Sequence, residues 1–189
     1  YTRGVGPVVM VVQELPGIGQ ETLRLADEFV AEGFTVVLPH LFGPLGKTDV
    51  LGNLLRVMCM RKEFRLFEQG GTSPIVDWLR ALCHDLKAVH QVQGVAVIGM
   101  CLTGNFAISL MADASVLAGV ASQPSLPVWR QRDLHMSASD IQQVRQQLDA
   151  KGPMLAYRFE GDTLCQAEKF ERMDEVFNRS DGVGVASEK

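Results

Sequence analysis

The stretch "VIGMCLTGN" (residues 97–105) carries an apolar run into a cysteine, Cys101, with glycines at 99 and 104. A cysteine at the end of a buried strand is either a small packing hydrophobe or, where the chain turns sharply into a helix, a nucleophile. A side chain thrust out of so tight a turn needs small residues two positions before and after it, because larger ones collide. Gly99 fills the first place. Thr103 fills the second, so the turn is expected to be crowded, with Gly104 absorbing the cost. Only the thiolate attacks a carbonyl carbon, and free amides at the start of the following helix favour that charge and can hold the oxyanion that attack creates. Cys59, Cys83 and Cys165 lie far apart with no C-x-x-C pairing, and read as packing residues. The four histidines, His40, His84, His90 and His135, read as loop, helix or insert residues with structural or exposed roles. No His/Cys/acid cluster has ligand spacing, so no metal or other cofactor is expected.

The elements that must position Cys101 follow from periodicity. "PVVMVVQE" (7–14) is a continuous, largely β-branched apolar run suited to a strand buried on both faces, and "LPGIG" breaks it. Over 20–32, Leu25, Ala26, Phe29 and Val30 recur at helical spacing, and Gly33 stands where a helix ends. "FTVVLP" (34–39) is a second apolar strand, completing a strand–helix–strand unit of the length a parallel pair requires. The glycine-rich stretch 40–72 reads as loop with a short helix near 51–60. Ser73 and Pro74 open a helix whose apolar positions are Ile75, Leu79, Leu82, Leu86 and Val89.

"GVAVIG" (94–99) is the strand that ends on Met100 and Cys101, and 102–112 continues as a helix. Residues 116–127 read as a strand with its exit loop. A polar helix follows, with Ser139 and Gln142 at capping-box spacing and Gly152 as its stop. "PMLAYRFEGD" (153–162) reads as a last strand and 166–177 as a final helix. Strands alternating with helices argue one doubly wound α/β domain over 1–189, with a polar helical insert at about 128–152.

Bulk properties narrow the partners. In 189 residues, 47% are hydrophobic and 21% charged, enough apolar material for one core and too much for a disordered chain. A net charge of −4 offers no basic surface to nucleic acid or anionic lipid. No apolar run approaches the roughly 18 residues of a spanning helix. A cytoplasmic protein with free thiols and a small-molecule carbonyl substrate is expected, without nucleic-acid or membrane partners; the oligomeric state is left open. The chain begins at Tyr1 and ends on "NRSDGVGVASEK", and residues are expected to be missing at the termini.

Four pieces, "VVMVVQELPGIG", "LADEFVAEGFTVVLPHLFG", "VIGMCLTGNFA" and "RFEGD", together resemble the dienelactone hydrolase family of α/β-hydrolases over most of residues 7–162. The resemblance implies a three-layer sandwich whose mostly parallel sheet has helices on both faces, and cleavage of a small ester, lactone or thioester through an acyl-cysteine. It implies Cys101 as nucleophile, Asp162 as the acid that orients a histidine, and Glu14 as the carboxylate paired with the resting thiol. The backbone amides of Leu15 and Leu102 match the oxyanion hole. The family's histidine follows the acid, and no histidine follows Asp162 here. It is expected on a missing segment, together with a final strand and helix. Two alternatives compete. One is a ThiJ-like cysteine enzyme of the glutamine-amidotransferase-like fold; the other is a degenerate hydrolase that only binds a ligand or partner.

Overall fold

The structure, a computed structural model, describes residues 1–59, 73–126, 130, 132–134, 136–178 and 185–188. In chain order the elements are β1 (Thr2–Arg3), β2 (Val8–Val12), α1 (Gln20–Ala31), β3 (Thr35–Val37), α2 (Val50–Cys59), α3 (Pro74–His90), β4 (Val95–Met100), a 3₁₀ turn (Cys101–Thr103), α4 (Gly104–Leu110), β5 (Val116–Ser122), α5 (Ala138–Lys151), β6 (Met154–Tyr157), α6 (Ala167–Phe177) and β7 (Val185–Glu188). The seven strands form one sheet in the order β1-β3-β2-β4-β5-β6-β7. All neighbours are parallel except the short edge pair β1 and β3.

The period-two geometry of β2 divides the core. Val8, Met10 and Val12 face a large apolar cluster with Val76, Leu79, Cys83 and Leu86 of α3, Phe106 and Ile108 of α4, Val144 and Leu148 of α5, and Phe170 and Met173 of α6. Val9 and Val11 face the other way, into a smaller cluster with Ala26 of α1, Val36 and Leu38. The result is the three-layer α/β sandwich expected from the alternation of strands and helices. α5 is a crossover helix between β5 and β6, anchored in the main core through Val144 and Leu148.

Three readings change in detail. The buried stripe of α3 is Val76, Leu79, Cys83 and Leu86, whereas Val89 lies 74% exposed, because steps of three and four from Val76 lead to position 90 and pass Val89 by. α5 is capped by Ser137, which pairs reciprocally with Asp140, rather than by Ser139 and Gln142; the chain enters the helix two residues earlier. The tail "VASE" is strand β7, in register with β6 through Met154 opposite Val185 and Tyr157 opposite Glu188. β7 has no apolar run to announce it; backbone pairing to β6 makes it a strand. The reading of 60–72, including the end of the short helix, falls outside the described residues.

Candidate active site

The turn after β4 has the conformation its residues require. Cys101 adopts φ +53, in the left-handed region, between the extended Met100 and the right-handed Thr103. Such a backbone is uncommon for a residue with a Cβ, and it turns the side chain out of the sheet at the strand's carboxyl end. Gly99 is obligatory, since a Cβ there would lie 2.2 Å from the Thr103 carbonyl oxygen. Gly104 lets the chain after β5 approach, since a Cβ there would lie 2.9 Å from Pro124 Cα. Thr103 braces the turn: fully buried, its hydroxyl accepts from Met100 N at 3.2 Å and faces the carbonyls of Met100 (3.0 Å) and Val12 (3.4 Å).

Across this turn lies the loop that leaves β5. Ser125 N donates to the Cys101 carbonyl at 3.1 Å, and the buried Ser125 hydroxyl sits 3.5 Å from Cys101 Sγ. Nothing local marks this serine: it comes to the sulfur only because β5 runs beside β4, with Met100 opposite Ser122.

Glu14 lies at the same edge of the sheet. Val12 of β2 is opposite Gly99 of β4, so Glu14 and Cys101 each lie two residues beyond that pair. Buried Gln13 ties the strand end to the 41–42 backbone: Nε2 donates to the Phe42 carbonyl at 2.6 Å and Oε1 accepts from Leu41 N at 3.0 Å. By alternation Glu14 faces away from that anchor, into a cavity of about 670 Å³ bounded by Pro16, Gly17, Gly19, Lys47 and Thr48. Burial pushes its carboxyl above the usual range. The "LPGIG" loop is a tight turn, Gly17 N to Glu14 O at 3.0 Å, pinned to 46–53 through Gly46 N to Ile18 O and Asn53 Nδ2 to Pro16 O. Among the described residues the Leu15 amide has no protein acceptor. Leu102 sits in the first turn after Cys101, where amides lack an acceptor within the helix.

Asp162 follows β6, two strands along from β4. Its Oδ1 accepts from Leu164 N at 2.8 Å and Cys165 N at 3.0 Å, closing the turn ahead of α6. Oδ2 has no hydrogen bond among the described residues, and none joins Cys101 to Glu14 or Asp162. None of the described histidines has a hydrogen bond to Cys101, Glu14 or Asp162. His40 contacts the Gly43 carbonyl, His84 bonds Asp113 at 3.1 Å, and His90 lines a cavity with Gly4 and Gly94, at the opposite end of the strands. His135 is outside the described residues. Cys83 and Cys165 are fully buried and burial pushes both thiols up to about 12, as suits packing residues; Cys101 is half-buried. The side chain of Cys59 is outside the described residues. Among those that are described, no group of three His, Cys, Asp or Glu could hold a metal ion.

The model of the dienelactone hydrolase family matches residues 2–183. The chain belongs to that family. This membership decides against the ThiJ-like reading. A carboxymethylenebutenolidase from Pseudomonas sp. strain P51 is 31% identical over 116 residues, which are 59% of this chain and 47% of the relative. The chain therefore spans about half the length of that relative. A dienelactone hydrolase-like promiscuous phosphotriesterase from metagenomic libraries superposes with TM-score 0.70 at 19% identity, covering 98% of this chain and 70% of that one. A protein from Klebsiella pneumoniae described as a "putative dienelactone hydrolase" gives TM-score 0.65 at 17% identity, over 98% of this chain and 75% of that one. These likenesses place the chain in the α/β-hydrolase fold.

Proposed function

We propose that the protein is a hydrolase of small esters, lactones or thioesters that works through an acyl-Cys101 intermediate. The observation that carries the reading is the left-handed backbone at Cys101, between a parallel strand and a helix, in a chain of the dienelactone hydrolase family. The Cys101 thiolate adds to the carbonyl carbon. The oxyanion is held by the Leu15 and Leu102 amides, each such donor being worth about 3–4 kcal/mol in measured cases. Collapse of the adduct breaks the carbon–oxygen or carbon–sulfur bond to the leaving group, which takes a proton, and leaves a thioester on Cys101. Water then attacks that thioester, and release of the carboxylic acid regenerates the thiol. Glu14, whose half-buried carboxyl favours its proton, is the proposed partner of the resting thiol.

A histidine oriented by the open Oδ2 of Asp162 is the proposed base; none stands between Asp162 and Lys189. A cytoplasmic location and a small carbonyl substrate complete the proposal. Turnover of activated esters and dienelactone by the full-length protein, compared with Cys101→Ser and Cys101→Ala, tests it. Loss of turnover with both variants is expected. Unchanged turnover in the alanine variant ends the proposal, and tight ligand binding with no acylation of Cys101 favours a binding protein instead.

A further inference from the structure

Lys169 of α6 is fully buried, a rare place for a lysine. Its ammonium donates to the Leu126 carbonyl at 2.6 Å and to the Asp133 carbonyl. Those carbonyls lie on the two limbs of the loop between β5 and α5. Asn105, buried at the start of α4, ties the same limbs: Nδ2 faces the carbonyls of Leu126 (2.9 Å) and Leu134 (3.4 Å), and Oδ1 accepts from Leu126 N at 3.2 Å. One residue before Leu126 stands Ser125, with its hydroxyl on the Cys101 sulfur.

Keeping this amine in the interior is costly. Burial lowers it to about 8, and the groups that face it, Cys165 in the turn ahead of α6 and Asp133 on the loop, only partly oppose that. A methionine would fill similar volume without this desolvation cost, so a lysine here is poorly explained by packing alone. What a methionine could not do is hold both limbs of the loop at once.

We propose that Lys169 is a positioning residue for the nucleophile: by clamping both limbs of the loop after β5, it keeps the Ser125 hydroxyl on Cys101, where that hydroxyl donates to the thiolate. The inference rests on the reading of Cys101 as a nucleophile. Alkylation of Cys101 by iodoacetamide in the full-length protein, followed against pH by peptide mass spectrometry, tests it without requiring a substrate. Lys169→Met and Ser125→Ala are each expected to slow alkylation at neutral pH about three- to tenfold. Each should also move the midpoint of the pH profile upward, and the double variant should be no slower than Ser125→Ala. Lys169→Gln keeps an N–H donor without the charge; it should fall in between, and it serves if the methionine variant does not fold. A lowered Tm with an unmoved midpoint, or a Lys169 effect that persists undiminished without Ser125, would overturn the clamp. A wild-type Cys101 that resists alkylation across the whole pH range would overturn the nucleophile assignment itself.

Discussion

Replacing Cys101 by glycine, with alanine as the reference, reads the elbow's backbone directly. Both substitutions remove the sulfur and its contact with Ser125, so those losses cancel in the comparison. What remains is the Cβ. At φ +53 a Cβ crowds the neighbouring carbonyl at a cost of about 1–2 kcal/mol, which glycine escapes. Against this, glycine adds freedom to the unfolded chain worth about 0.4–1 kcal/mol. The balance leaves Cys101→Gly the more stable variant by about 1 kcal/mol, or about 2–4 °C in Tm for a domain of this size. Urea unfolding followed by circular dichroism, at matched m-values, measures the difference. The ordinary result has the opposite sign, since glycine within a helix or strand costs about 0.5–1 kcal/mol relative to alanine. An alanine variant more stable than the glycine variant would therefore place residue 101 in a common backbone region and remove the geometric basis for an exposed nucleophile.

Two further outcomes follow from half-buried carboxylates. Burial alone raises Asp113, but the Ser115 hydroxyl and amide and His84 outweigh it and hold the carboxyl below its ordinary 3.8. A lowered value contributes stability above the ordinary pKa that is lost as pH falls through the folded one. Asp113→Asn should thus cost about 1 kcal/mol near neutrality, with the difference from wild type closing in acid below that value; urea midpoints across pH check this. For Glu14 the sign reverses. Burial raises its carboxyl, so the native state favours the protonated form and loses stability as pH rises through the folded value. Glu14→Gln should raise the urea midpoint at neutral pH and leave it unchanged well below pH 4.5, and a midpoint that falls at neutral pH would refute the buried-carboxylate account.

Much of the scaffold was legible because its signals are local. The apolar run of β2, the helical spacing of Leu25, Ala26, Phe29 and Val30 in α1, and glycines 99 and 104 about Cys101 lie within a few residues of what they specify. The same local logic misjudged Thr103. Its volume reads as crowding, whereas its hydroxyl makes it a brace between β4 and the end of β2. Glu14, Cys101 and Asp162 each follow the carboxyl end of a parallel strand, but Asp162 already closes a turn through one oxygen, which the order of residues cannot reveal.

The amino-acid sequence by itself determined where the backbone turns and which residue type stands on the elbow, since steric fit at Gly99 and hydrophobic periodicity act over a few bonds. Only the tertiary structure decided which groups meet the sulfur. Ser125 comes from 24 positions away, and the Lys169 ammonium reaches its loop across 43, both brought in by strand order and burial. A buried lysine on a polar-looking helix and a strand made of "VASE" have no pattern of their own. Their roles exist only where neighbouring backbone offers carbonyls to an ammonium or a ladder to an edge, and that is a property of the packed sheet.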